Sequence, residues 1–472
     1  MQYQPKTYII TSAQSFSEPN IPFLNSLEKF ASFVNGELLI LPMIGSSAKE
    51  DWNFKYMDSQ LKRFPFVYDE MRLNNNVMID QFYIRPWQID PITGLSRFTQ
   101  RAISTIFASP KQRLKYIPHS NIKIPKALIT TGAITLPNYA TSEDFSAERR
   151  RLGNLALRDH IYGAWIVEVI DDEIYHHRNV RALSNGKFVD LGTLFLPNEE
   201  PREATLEAIV FGDWHVGYTD PVVKEANLRM IKDFKPKRIV LHDFFDGHSV
   251  NHHKEGHLIS QKIREGSDKG FLSLDEELKA CYDELCYLLD ALETNNNGRE
   301  ILVVYSNHDP MMLERYLDEG RFINDPLNLK KALELAKEFA DGKNPVEMGI
   351  KSHGKLPKNV KFLRADEDYK ILGYQLAAHG HFGPNGRRGN AKTIEADAGK
   401  SISGHTHQAE ILRDTYVVGT STYLVLPYAQ GPNACTNTHA LLWNVSNNGL
   451  VQLVNVINGF YSRADQKRAS EN

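Results

Sequence analysis

Residues 206–215 read LEAIVFGDWH, and the architecture of the second half of the chain follows from this segment. Its first part, residues 206–211, is a short and mostly apolar run of the kind that forms a buried strand. The run leads into Asp213 and His215, and alternation along an extended chain points these two side chains to the same side. A carboxylate and an imidazole placed in this way can contact one metal ion.

Four more clusters of metal-type ligands follow apolar segments later in the chain, at residues 242–246, 306–309, 379–381 and 403–407. Apolar strands predicted at 239–241 and 301–305 alternate with helical stretches at 223–234 and 275–292, a pattern that indicates a layered α/β fold. Ligands collect at the carboxyl ends of strands in open α/β sheets, so we expect the clusters to converge. One such cluster alone is more often a solvated loop, but five in this order need a common explanation.

The first half of the chain predicts a smaller α/β unit. Residues 8–11, 22–34 and 38–41 fit a strand, a helix and a strand, and therefore a parallel pair. Two further strands flank Asp171-Asp172 and should be antiparallel. A polar, proline-punctuated stretch at 197–203 is typical of a boundary, so we predict one domain at 1–203 and a second at 204–472.

The bulk composition indicates a soluble globular protein. The chain has 472 residues, 42% of them hydrophobic and 24% charged, with a net charge of −3 that gives no general attraction to nucleic acid. Its three cysteines are too few for a disulfide framework or a zinc cluster, which favours a reducing compartment. The N-terminus lacks the pattern of a signal peptide, and no segment is long and apolar enough for a membrane span. We therefore expect a cytoplasmic protein without a membrane partner.

The five clusters, in this order, resemble the motifs of the calcineurin-like metallophosphoesterase superfamily. That pattern runs Asp-x-His, Gly-Asp-x-x-Asp, Gly-Asn-His-Asp/Glu, His and Gly-His-x-His, and the resemblance covers residues 206 to 425. His242 and Ser306 stand where the family usually has glycine. The resemblance implies that residues 204–472 form a four-layer αββα sandwich, preceded by the smaller α/β domain.

The resemblance also implies two divalent metal ions. The ligands of one ion would be Asp213, His215, Asp243 and His407. Those of the other ion would be Asp243, Asn307, His379 and His405, so that Asp243 bridges the two. His381 competes with His379, which is preferred because it precedes a glycine. The mixed oxygen and imidazole donors suit manganese, iron or zinc, and the family points to manganese first.

Two further residues receive catalytic roles from the same resemblance. Two ions about 3.5–4 Å apart can hold a phosphoryl group and activate a bridging water as hydroxide. His308 would then approach the leaving oxygen, and Asp246 would orient His308. A simple helix cap is the alternative for Asp246.

The substrate has to be inferred from local features. The segment Asp243-Phe244-Phe245-Asp246 is closer to SbcD-type DNA nucleases than to protein phosphatases, whose arginine is replaced by Gly247. His252 and a basic loop with Arg387 and Arg388 could contact a phosphate backbone, although an ordinary solvated turn also explains the loop. Basic residues between 111 and 126 could likewise track nucleic acid, but a solvated edge is the preferred interpretation there.

Segments 11–14, 130–133 and 137–139 look similar to phage-encoded metallophosphoesterases, some of which resemble DNases that degrade host DNA. The preferred interpretation is therefore a manganese-dependent deoxyribonuclease, phage-encoded and acting in the host cytoplasm. A phosphomonoesterase or a cyclic-nucleotide phosphodiesterase is the enzymatic alternative. In a third alternative the first domain makes homo-oligomers or binds a partner, and the phosphoesterase domain is subordinate to that assembly.

Overall fold

The computed structural model describes residues 3–45, 54–97, 103–120, 124–143, 145–251, 271–293, 298–426 and 431–471. The chain belongs to the α/β class. Within these residues the α-helices are Ile21–Phe33, Ala147–Arg158, Pro221–Phe234, Leu274–Ala291, Arg315–Asp318, Leu329–Ala340, Pro345–Lys351, Ala391–Ala398 and Arg463–Glu471.

Strands occur throughout both halves of the chain. Those of the first half are β1 Lys6–Gln14, β2 Glu37–Met43, β3 Met71–Arg72, β4 Val77–Ile79, β5 Ser104–Phe107, β6 Gln112–Ile117, β7 Lys126–Thr131, β8 Gly163–Val169, β9 Tyr175–Arg181, β10 Phe188–Asp190, β11 Thr193–Phe195 and β12 Arg202–Glu203. Those of the second half are β13 Thr205–Val210, β14 Arg238–Leu241, β15 Glu300–Val304, β16 Val360–Leu363, β17 Lys370–Ile371, β18 Tyr374–Gln375, β19 Ser401–Ser403, β20 Glu410–Leu412, β21 Thr415–Val417, β22 Thr438–Val445 and β23 Asn448–Asn455.

These strands form two ten-stranded sheets and one small sheet. The first large sheet has the order β16-β15-β14-β13-β22-β23-β9-β8-β1-β2, and the second has the order β17-β18-β19-β21-β20-β6-β7-β5-β4-β3. The small sheet joins β10, β11 and β12. The parallel pair β1 and β2 around helix Ile21–Phe33, and the antiparallel pair β8 and β9, confirm the secondary structure predicted for the first half.

Both large sheets contain strands from either side of residue 203. In the first sheet β23 pairs with β9, so that Val454 lies opposite Arg178. In the second sheet β20 pairs with β6, and Glu410 lies opposite Lys115. The boundary predicted at residue 203 stays a prediction, but main-chain hydrogen bonds join the segments on its two sides.

The two large sheets share an apolar core. Side chains of the first sheet, such as Trp165 and Val210, belong to the same buried cluster as Ile129 and Ile402 of the second sheet. A separate cluster lies on the other face of the first sheet, where helices of the second half cover it. Helix Ile21–Phe33 covers the N-terminal strands of that face in the same way. Burial of one apolar face of each helix stabilises this layered arrangement.

Helix Leu274–Ala291 begins at a side-chain cap. Before helix Leu274–Ala291 the side chain of Ser273 accepts a hydrogen bond from the main-chain N–H of Glu276. The helix matches the helical stretch predicted at 275–292, and its apolar side chains Leu278, Leu285 and Leu289 are buried. Among the helices of the described residues, none is long and apolar enough to cross a membrane.

Candidate metal centre

The five predicted ligand clusters converge, and they do so between the two large sheets. Parallel strands β13, β14 and β15 of the first sheet lead into the clusters of Asp213, Asp243 and Asn307. Parallel strands β18 and β19 of the second sheet lead towards His379 and His405. The site therefore lies where the carboxyl ends of strands from two facing sheets meet.

Main-chain hydrogen bonds join neighbouring loops of the site. The N–H of His215 donates to the carbonyl oxygen of Asp243 at 2.8 Å. On the other sheet, the N–H of Gly404 donates to the carbonyl oxygen of His379 at 2.8 Å. The two sheets are joined directly, because the N–H of His405 donates to Oδ2 of Asp213 at 2.9 Å. These bonds restrict the positions of the side chains above them.

The first group of ligand atoms consists of Asp213, His215, Asp243 and His407, all within 4.8 Å of one another. Nε2 of His215 and Nε2 of His407 lie 3.0 Å apart, and Nε2 of His407 lies 3.3 Å from Oδ2 of Asp213. Donor atoms of one divalent ion stand about 2 Å from it, so this spacing fits a common ion. The four residues are those predicted for the first ion.

The second group consists of Asp243, His379 and His405, also within 4.8 Å of one another. Asn307 belongs with them, because its Oδ1 lies 3.0 Å from Nε2 of His379 and 2.9 Å from Nδ1 of His405. Nε2 of His379 is 3.1 Å from Oδ2 of Asp243. The predicted ligands of the second ion therefore surround one point as well.

Asp243 belongs to both groups, and its environment fits a bridging ligand. The residue is 1% exposed, and its Oδ1 is buried without a hydrogen-bond partner among the described residues. Asp213 is 0% exposed. Within the described part of the chain, the ion pairs of these two carboxylates are made with histidines and not with lysine or arginine. Two buried carboxylates that lack a lysine or arginine partner among the described residues are stabilised by a bound cation, so the residues present fit divalent metal ions.

Burial is the main cause of the shifted pKa values of three site residues, Asp213, His405 and His407. Burial, followed by the neighbouring charge of Asp243, raises the pKa of Asp213 well above its usual range. Burial also lowers the pKa of His405 to about 4 and that of His407 to about 3. Both imidazoles are consequently neutral near pH 7, which is the form that binds a metal.

The backbone of several ligands adopts the left-handed conformation that non-glycine residues rarely occupy. The φ angles are 47° at His215, 43° at Asp243, 77° at His405 and 55° at His407. Such conformations cost about 1–3 kcal/mol each and concentrate at functional sites. Directly after His308 the chain forms a π-helical segment, Asp309–Glu314, another feature that is frequent at such sites.

Asp246 and His308 lie beside the first group, but their contacts differ from the expected ones. The carboxylate of Asp246 lies 2.9 Å from Nδ1 of His215, so its side chain contacts a residue of the first group and not His308. Nδ1–H of His308 donates instead to the main-chain carbonyl oxygen of Asp246. The helix-cap alternative does not describe Asp246 either, because Gly247 is the residue that precedes the short helix His248–Val250. The sequence could predict that Asp246 and His308 lie near each other. It could not predict that His308 contacts the main chain of Asp246 and not its carboxylate.

His379 and His381 have different environments. His379 faces both Asp243 and Asn307, as described above, whereas His381 belongs to neither ligand group. Both ring nitrogens of His381 are buried without a hydrogen-bond partner among the described residues. Phe382 packs against its ring, with the ring centroids 3.9 Å apart. The geometry favours His379 as the ligand.

Sequence reasoning gave no role to two buried acids near the site: Glu277 was missed, and Asp309 was counted only as part of the cluster at 306–309. Glu277, on helix Leu274–Ala291, accepts hydrogen bonds from the main-chain N–H groups of His248 and Ser249 at 3.0 Å. Burial, with the charge of Asp246, raises the pKa of Glu277 to about 7. Asp309 is held by Ser306, and burial raises its pKa to about 6. In the sequence Glu277 looks like an ordinary helix residue. The signal that could have predicted its burial is its position on the same helix face as the apolar residues of that helix.

The predicted substrate contacts have different outcomes. Arg387 and Arg388 are exposed on the loop that follows His381, and the charge of Arg388 contributes to the lowered pKa of His405. Arg388 is therefore near enough to act on the second group electrostatically. His252 lies outside the described residues.

Two of the basic residues between 111 and 126, Lys111 and Arg113, are buried and therefore do not lie on a solvated edge, whereas Lys115 is exposed. Lys111 forms an ion pair with Asp159 at 3.2 Å, and Arg113 forms one with Glu410 at 2.8 Å. Both side chains are 4% exposed. These buried pairs link strands and loops of the fold, so they do not provide a surface for nucleic acid.

Comparison with known proteins finds similarity to a phage protein. The chain is 28% identical over 487 residues to Protein A1 of Escherichia phage T5, an alignment that covers 97% of this chain and 83% of that protein. No family model matches the chain. No solved structure matches it. The chain is thus similar to a phage protein along nearly its whole length.

Proposed function

We propose that this protein is a two-metal-ion phosphoesterase and that its substrate is DNA. One observation carries the proposal: Asp243 belongs to two separate groups of ligand atoms, each within 4.8 Å. Two ions that share a carboxylate form the type of centre that hydrolyses phosphate esters. The donor set of carboxylates, imidazoles and one amide favours manganese, with iron or zinc as alternatives. The layered arrangement of helices and two facing sheets supports the four-layer sandwich implied by the motifs.

The residues around the two groups support a division of roles. Divalent cations held there would polarise the phosphoryl oxygens and lower the pKa of a bound water. His308 lies close to this space, with its ring centroid 4.9 Å from that of His215. Burial opposes protonation of His308, but the charges of Asp243 and Asp246 raise its pKa above the ordinary value. A protonated imidazole here can stabilise charge on the leaving oxygen or donate a proton to it.

DNA is preferred to a small phosphomonoester for two reasons. Gly247 occupies the position of the phosphatase arginine, so the usual clamp for a phosphomonoester is missing from that position. Arg387 and Arg388 lie on an exposed loop beside the second group, where they can contact the phosphates of a polymer. The match to a phage protein supports a phage origin, and with it action inside a host cell, without naming a substrate or a reaction.

The test compares the wild-type protein with Asp243→Ala after removal of metals by a chelator. Each protein is assayed with added Mn²⁺ on linear DNA, on circular DNA and on an aryl phosphomonoester. Cleavage of DNA that requires both Mn²⁺ and Asp243 would support the proposal, and the circular substrate distinguishes internal from end-dependent cutting. Turnover of the monoester alone would favour the phosphatase alternative. A wild-type protein that binds no divalent metal would contradict both.

A further inference from the structure

His242 stands directly before the bridging residue Asp243, in the position where the related motif has glycine. Its side chain is 0% exposed. The ring lies beside the metal ligand His379, with ring centroids 5.4 Å apart and Nδ1 of one ring 3.3 Å from Nδ1 of the other. The other ring nitrogen, Nε2 of His242, is buried and has no hydrogen-bond partner in the described part of the chain. Among the described residues, the buried ring of His242 therefore makes its polar contact with His379.

The orientation of the His379 ring determines which of its nitrogens faces His242. Nε2 of His379 faces Oδ2 of Asp243 at 3.1 Å and Oδ1 of Asn307 at 3.0 Å. A ring nitrogen must be unprotonated to bind a metal, so the proton of neutral His379 has to be on Nδ1. That Nδ1–H requires an acceptor, and Nδ1 of His242 is the atom in reach. Nδ1–H of His379 therefore donates to Nδ1 of His242.

We propose that His242 is a positioning residue that fixes the tautomer and the ring orientation of His379 and so strengthens binding of the second ion. The inference rests on the proposed metal centre. Histidine ligands of metals usually donate their second N–H to a carboxylate, a carbonyl oxygen or water. The first group follows this pattern, because His215 contacts the carboxylate of Asp246. In the second group a neutral imidazole takes the corresponding place.

The experiment measures Mn²⁺ binding to the full chain by titration calorimetry, with the number of bound ions checked by electron paramagnetic resonance. His242→Phe keeps a ring of similar volume and removes the acceptor. His242→Asn places an amide oxygen near the position of Nδ1 and restores an acceptor. His381→Phe is the matched control, since its ring centroid also lies 5.4 Å from that of His379 but its nitrogens do not bond to His379.

We expect the wild-type protein to bind two ions per chain. His242→Phe should lose about 10–100-fold in affinity for the second ion and keep its affinity for the first. His242→Asn and His381→Phe should stay close to wild type. Circular dichroism confirms folding, and if His242→Phe does not fold, His242→Leu takes its place beside His242→Asn.

Two results would overturn the inference. The first is a folded His242→Phe that binds both ions as tightly as wild type. The second is a loss in His381→Phe as large as that in His242→Phe, because packing around His379 would then explain the effect. Either result leaves the proposed function standing, whereas a wild-type protein that binds no Mn²⁺ contradicts that function itself.

Discussion

The carboxylate of Asp246 contacts Nδ1 of His215 at 2.9 Å, and this contact leaves Nε2 as the nitrogen of His215 that faces the other residues of the first group. An acceptor at Nδ1 keeps the proton on that nitrogen and leaves the lone pair of Nε2 directed at His407 and Asp243. The motif resemblance had assigned Asp246 to His308. If the first group holds an ion, this contact predicts that Asp246 affects metal binding as well as the leaving group.

The first prediction follows from that contact. Asp246→Ala should reduce the affinity of the first ion by about 10–100-fold, because His215 loses the acceptor that orients it. Titration with Mn²⁺ measures the change. Asp309→Asn is the matched control, as Asp309 is also a buried acid of this region but bonds to Ser306 and Asn344. Unchanged metal affinity in Asp246→Ala would contradict this prediction and favour the role first expected for Asp246, which is to orient His308.

The second prediction concerns His308. His308→Ala should keep both metal ions and lose activity by about 10²–10⁴-fold, since the residue is placed to act on the leaving oxygen and lies outside the proposed ligand sets. Metal content and turnover are measured on the same preparation. Loss of bound metal in this variant would show that His308 is a ligand and not a general acid.

The third prediction uses the close approach of two loops at Gly404. A Cβ atom added at Gly404 would lie 2.2 Å from Oδ1 of Asp213 and 3.0 Å from Cβ of His242. Gly404→Ala should therefore displace Asp213, weaken metal binding and lower the free energy of unfolding by about 1–3 kcal/mol. Mn²⁺ titration and thermal unfolding measure the two effects. The neighbouring Ser403→Ala serves as control, because the buried Oγ of Ser403 has no hydrogen-bond partner among the described residues.

The fourth prediction is a pH dependence of stability that originates from Glu277. Its pKa is raised to about 7, so between the ordinary carboxyl pKa and pH 7 the folded protein keeps a proton that the unfolded chain releases. The contribution of Glu277 to stability is therefore largest at acidic pH and falls as the pH rises to 7. Relative to wild type, Glu277→Gln should gain roughly 3 kcal/mol between pH 4.5 and pH 8.

Denaturant unfolding of the two proteins at several pH values, with a chelator present, measures this difference. The comparison with Glu277→Gln is needed because other acids make stability rise with pH, which is the opposite of the effect expected from Glu277. Burial by itself raises the pKa of Asp246, for example, but the contact with His215 together with the charges of His308 and His248 lowers it below the usual value. A difference between the two proteins that stays constant with pH would show that the carboxyl of Glu277 titrates normally.

The fifth prediction addresses the first 203 residues. Expressed alone, this segment would lose the partners of β9 and β6, leaving edges of two sheets exposed. We expect it to aggregate or to unfold without cooperativity, as measured by mass in solution and thermal unfolding. A monomer that unfolds cooperatively would support the separate domain predicted from the boundary at 197–203. A defined oligomer would support the assembly alternative.

The local sequence determined the secondary structure around the site and the identity of the converging residues. Strand β13 is an apolar run that leads into Asp213 and His215, and such a pattern depends on a few adjacent residues. The same holds for β14 before Asp243 and for β15 before Asn307. Parallel neighbouring strands place their carboxyl ends together, which predicted that the clusters would converge. The individual residues of each group were implied by the resemblance of the clusters to the metallophosphoesterase motifs.

The tertiary structure decided which atoms touch and how the two halves of the chain are joined. That His379 and His405 approach from a second sheet, that Asp246 contacts His215, and that His242 lies against His379 all depend on the packing of one sheet over the other. The pairing of β9 with β23 and of β6 with β20 joins residues that are hundreds of positions apart. Local periodicity carries no information on such pairing, because any strand with one apolar face satisfies the same pattern.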